Sequence, residues 1–107
     1  MSYLEKEYYD ETHVVNTIKD FLKKDLYKNV FKFLNEYFEE KNSIRTTEVR
    51  DRLCIPDRSK VCRIMDVFVV LKLLERKKQQ GEKSVLFVKD ETYWDVGVEF
   101  LKWKWMN

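Results

Sequence analysis

Few side chains in this sequence have the type and spacing that covalent or acid–base chemistry needs. His13 is the only histidine, and no Cys or second His stands near it to share a metal. It is expected at the surface or at a helix start rather than as a catalytic base. Cys54 and Cys62 are separated by seven residues, with no His or further Cys around them. They fit neither a zinc site nor a disulfide framework and are expected as reduced thiols of a cytosol-like compartment. A redox switch at Cys62 is the alternative to a passive small residue there. The 19 carboxylates show no spacing that picks out an acid/base pair, and there is no glycine-rich phosphate loop or nucleophile elbow. No catalytic residue, metal, cofactor or small-molecule substrate is expected, and the chain is not expected to be an enzyme.

What the sequence does offer is cations set among hydrogen-bonding side chains. Arg58, Ser59, Lys60 and Arg63 lie within six positions, and Arg76, Lys77, Lys78 and Lys83 follow. An arginine fork suits the edge of a guanine, a serine hydroxyl suits either a base or a phosphate, and a lysine is a point charge for phosphates. Asp66 is the awkward neighbour: it can accept from cytosine or hold Arg63, yet a free carboxylate beside phosphates opposes binding. Residues 43–90 hold 12 Lys and Arg against 7 Asp and Glu, whereas residues 1–42 hold 7 against 9 and residues 91–107 hold 2 against 3. Positive charge is thus gathered in the middle of a chain whose net charge is only +2. That is the footprint of a nucleic-acid surface, and also of an ordinary solvated face with mixed charge.

Positioning these groups falls to a small, mainly helical framework with a β-hairpin. A chain of 107 residues that is 44% apolar and 15% aromatic, with 2 Gly and 1 Pro, is expected to form one domain over residues 1–107 without a linker. No stretch approaches the ~20 apolar residues of a membrane span. Met1 to Asp10 is mixed in charge, unlike a secretory leader, so the protein is expected to stay in the cytoplasm, or the nucleus of a eukaryotic cell. Alanine is absent, a bias that suits an AT-rich genome such as that of a virus or plasmid.

Apolar spacing predicts a first helix over residues 12–25, with Thr12 as N-cap and Val14, Val15, Ile18, Phe21 and Leu22 on its inner side. A second stripe from Leu26 to Phe38 is rotated away from the first, which requires a kink near Lys24 and Asp25. Thr46 or Thr47 is expected to cap a short helix running to Leu53, and Pro56 to end it by disfavouring helical geometry at Ile55. Asp57 is expected to cap a helix over 57–73, with Val61, Ile64, Met65, Phe68 and Leu71 inside and Ser59, Cys62, Arg63 and Asp66 outside. A hairpin over 75–88 follows, turning through Gln79, Gln80 and Gly81.

This order of helix, short helix, turn, longer helix and basic hairpin resembles the winged helix-turn-helix family over residues 26–89. The segment from Cys62 to Leu71 is also similar to the recognition helix of the retinoblastoma-regulated cell-cycle transcription factors, which carry the signature Arg-Arg-Ile-Tyr-Asp-Ile. Arg63, Ile64 and Asp66 match that signature, while Cys62 and Met65 replace its first Arg and its Tyr. Of the paired arginines that read bases in that family, only Arg63 has a counterpart here. The resemblance implies double-stranded DNA as partner and regulation of transcription as role. Helix 57–73 would enter the major groove and wing 75–88 would contact the backbone. Winged helices also serve as protein-interaction modules, which is the alternative expectation.

Residues 92–107 form an aromatic extension that fits a helix slightly better than a strand, with Gly97 counting against the helix. As a helix it carries Trp94, Val98, Leu101 and Trp105 on one side and Val96, Phe100 and Trp103 on the other. Two opposed apolar faces on one helix lead to the expectation that Trp94, Val98, Leu101 and Trp105 form the interface of a homodimer.

Overall fold

A computed structural model of the chain describes residues 11–78 and 85–106. Among these are α1 (Glu11–Leu22), α2 (Asp25–Tyr37), α3 (Thr46–Leu53), α4 (Arg58–Val70), β1 (Leu74–Lys78), β2 (Val85–Lys89) and α5 (Trp94–Met106). The architecture is mainly helical with one two-stranded antiparallel hairpin, consistent with a winged-helix type of topology. No helix among the described residues is long and apolar enough to cross a membrane.

The break at Lys23 and Lys24 allows both N-terminal stripes to face one core. Ile18 and Leu22 of α1 and Val30, Phe31 and Leu34 of α2 are all buried together. Thr12 does not cap α1, because the helix already includes Glu11. Phe31 sits at the centre of the aromatic packing. Its ring lies 6.0 Å from that of Phe68 in α4, edge-on, and 4.5 Å from that of Trp94 in α5.

The start of α3 departs from expectation. Thr46 is its first residue and Arg45 occupies the N-cap, so neither threonine caps it. The cause is a contact distant in sequence. Ile44 pairs with Phe87 of β2 through Ile44 N–H to the Phe87 carbonyl (2.9 Å) and the reverse bond (2.8 Å), which keeps the chain extended up to Arg45. The Glu48 carboxylate then accepts from the Arg45 N–H at 3.4 Å. The end of α3 is also set earlier than Pro56, by Cys54 in the left-handed region (φ 54°), whose N–H returns to the Arg50 carbonyl.

Asp57 caps α4 as its position predicts, accepting from the N–H groups of Ser59 (2.9 Å) and Lys60 (3.4 Å). Val61, Ile64, Met65 and Phe68 then fall on the buried face. Helix α4 stops at Val70, short of the expected residue 73. Lys72 takes a positive φ of 64°, which lets Leu71, Leu73 and Leu74 all point inward while Lys72 stays exposed. The hairpin pairs Leu74 with Lys89, Arg76 with Phe87 and Lys78 with Val85.

The aromatic extension is a helix, and Gly97 is the residue that lets it dock. A Cβ at this position would stand 2.5 Å from Phe31 Cζ, so the helix can approach Phe31 only where a side chain is missing. Trp94 is buried one turn earlier and donates its indole N–H to Asn35 Oδ1 at 3.2 Å.

Candidate nucleic-acid interface

The capping of α4 determines what its first turns present to solvent. Because the Asp57 carboxylate is engaged with backbone N–H groups, it is not committed to the cations beside it. Arg58, Ser59 and Lys60 project from the first turn and Arg63 from the second, and all four are exposed. Among the described residues, none of Arg58, Lys60 and Arg63 is in an ion pair. Together they form an unneutralised edge of hydrogen-bond donors on a helix whose other face is locked into the core.

A cleft of about 300 Å³ lies between the start of α3, the outer face of α4 and the hairpin. Arg45, Thr46 and Thr47 line one wall, Arg58, Cys62 and Asp66 the second, and Arg76 and Phe87 the third. The cations on β1 differ from those on α4. Arg76 is paired with Asp66, and its guanidinium carbon stands 5.9 Å from the centre of the Phe87 ring. Lys77 Nζ is 2.9 Å from Glu75 Oε1. Asp66 therefore holds a hairpin arginine and not Arg63, the partner its spacing on the helix had offered. Lys83, Gln79, Gln80 and the side chain of Lys78 lie outside the described residues.

The chain matches no family model, no curated protein and no solved structure in the comparisons made.

The structure brings Arg58 and Arg76 to one cleft and Arg58, Ser59 and Arg63 to a neighbouring groove. Lys60 is exposed but lines neither. The cleft also contains Arg45, Thr46 and Thr47, to which sequence spacing assigned at most a capping role. The signal that could have found Arg45 is the extended Ser43-Ile44-Arg45 segment, whose pairing with β2 turns it toward the hairpin. The neighbouring groove, of about 620 Å³, runs along α4 from Arg58 to Leu71 with Thr17 and Phe21 of α1 as its far wall. Its upper part is cationic and its lower part apolar, ending at Val70, which is 76% exposed. Among the described residues, no group of three His, Cys, Asp or Glu is placed to hold a metal ion.

The surface expected to join two copies is largely committed within the chain. Trp94 and Leu101 are buried, packed into the same core as Phe31 and Phe68, and Val98 is half-buried against it. This corrects the expectation that Trp94 and Leu101 face a partner: Gly97, between them on the same side, lets that side press onto α2. The Trp105 side chain lies outside the described residues. Val96 and Phe100, on the other side of α5, are half-buried and line a second groove with Val15 and Lys19 of α1.

Proposed function

We propose that this chain is a winged helix-turn-helix protein that binds double-stranded DNA and regulates transcription, with α4 as its recognition helix and the hairpin as its wing. The observation that carries the proposal is the exposed set Arg58, Ser59, Lys60 and Arg63 on the first two turns of α4, with Arg58, Lys60 and Arg63 in no ion pair among the described residues. A helix entering a major groove uses its N-terminal residues on base edges, where Arg63 can grip a guanine by two bonds and Ser59 can serve a base or a phosphate. Arg58 and Lys60 have the placement and charge for phosphates on either side. Two copies related by a twofold axis would offer two such helices about 34 Å apart, matching successive major grooves. Their contact has to use a face other than that of Trp94 and Leu101.

The test is a titration of the full chain with random and selected duplexes at several salt concentrations. Affinity is expected to fall with a logarithmic slope of about −0.9 per phosphate neutralised. Arg63→Ala should remove discrimination worth roughly 1–3 kcal/mol at one base pair, while Lys60→Ala weakens all duplexes alike. Affinity indifferent to salt would sink the proposal. One observation favours a second reading, a protein-interaction module: the apolar lower groove beside Phe21, Val67 and Val70 is of no use to a DNA backbone. Failure to bind any duplex at low salt would favour it.

A further inference from the structure

Resting on the DNA-binding reading above, we infer that Asp66 withholds Arg76 from the DNA backbone and so holds down the share of affinity common to all sequences. Asp66 follows Arg63 by one helical turn and lines the same cleft as Arg58, on the face of α4 assigned to DNA. Its carboxylate is paired with Arg76 of β1, and the Arg76 guanidinium is further held near the Phe87 ring across the hairpin. Both side chains are about half exposed, at 58% for Asp66 and 49% for Arg76, so a phosphate arriving at the cleft can reach the pair.

A phosphate can recruit Arg76 only by displacing Asp66, and the displaced carboxylate then lies beside the phosphate as a like charge. Exposed ion pairs are weak, so this is a modest handicap and not a block. The contrast with α4 gives the handicap its effect. Among the described residues Arg58, Lys60 and Arg63 have no carboxylate to leave, whereas the hairpin cations Arg76, Lys77 and Lys89 are matched by Asp66, Glu75 and Glu91. Phosphate contacts carry no sequence information, so neutralising those of the wing lowers binding that does not depend on α4 reaching its bases.

The experiment measures binding of a random-sequence duplex by fluorescence anisotropy over a range of salt, using the full chain and the variants Asp66→Ala, Arg76→Ala and the double variant. Circular dichroism checks that each is folded. Asp66→Ala is expected to bind severalfold more tightly, with a salt slope steeper by about 0.9, the value of one added phosphate contact. Arg76→Ala should keep the wild-type slope, and the double variant should return to it. A gain that persists in the double variant would mean that Asp66 acts through its own charge, and the inference would fail. A shallower slope for Arg76→Ala would mean that Arg76 already lies on a phosphate, and weaker binding by both single variants at unchanged slope would mean that the pair only braces the hairpin. Each of those results overturns the inference while the DNA reading stands. No duplex binding by the wild-type chain at low salt removes both.

Discussion

At the scale of single residues, Asp57 and Glu48 each hold the start of a helix by accepting from backbone N–H groups. Asp57 was legible because a cap needs only an acceptor followed by two free N–H groups. The role of Glu48 was not, because its two partners come from different segments: it accepts from the Arg45 N–H, and the Tyr37 hydroxyl of α2 donates either to Glu48 Oε2 (3.1 Å) or to the Ser43 carbonyl (3.0 Å). Burial, together with the hydrogen bond to Glu48 and its charge, holds the Tyr37 hydroxyl above its ordinary range, and Arg52 opposes the shift. A raised folded-state value means that the unfolded chain ionises first. Tyr37 therefore adds stability that is fully present below about pH 10 and is lost as pH rises through its folded value. Urea midpoints measured across that range should fall less steeply for Tyr37→Phe than for the wild-type chain. Parallel curves would show that Tyr37 contributes nothing to the pH dependence.

Elements were legible where one buried face dominates, as in α2 and α4, and ambiguous where both faces are apolar. In α5, alternation from Leu101 to Trp105 also suits a strand, and Gly97 weakens a helix when only propensity is counted. What decides for the helix is tertiary: Phe31 fills the space that a side chain at Gly97 would need, and Asn35 accepts from Trp94. Gly97→Ala supplies a clear test. In an exposed helix interior, that change stabilises by roughly 1 kcal/mol. Here it should destabilise by about 1–3 kcal/mol, as overpacking does, unless α5 lifts away from α2. Chemical denaturation gives the sign, and a gain in stability would contradict the packing described.

For the whole molecule, the two sides of α5 must be told apart before any assembly is discussed. Leu101→Ala is expected to lose about 2–5 kcal/mol of fold stability, because it opens a cavity in the chain's own core. Phe100→Lys, on the half-buried side, should leave a folded chain and convert a dimer to a monomer in sedimentation, if that side joins two copies. A wild-type chain that sediments as a monomer at micromolar concentration, with or without duplex DNA, removes the twofold arrangement from the proposal and leaves the α4 surface untouched. The cationic surface itself was legible as a set of residues on α4. Its division into open cations on the helix and matched cations on the hairpin was not, since Asp66 and Arg76 meet only after the chain has turned at Lys72.

The backbone bridge between Ile44 and Phe87 also bears on how the chain matures as it is made. Its two halves lie 43 positions apart, and closing so long a loop is slower than forming the local helices around it. Helix α4 is synthesised before Phe87 is added. For that interval a nascent chain has Arg58, Lys60 and Arg63 without the hairpin that completes the cleft, and Asp66 without the arginine that occupies it. The surface becomes whole only when translation has passed β2, so chains truncated before Phe87 should carry its charges without its shape.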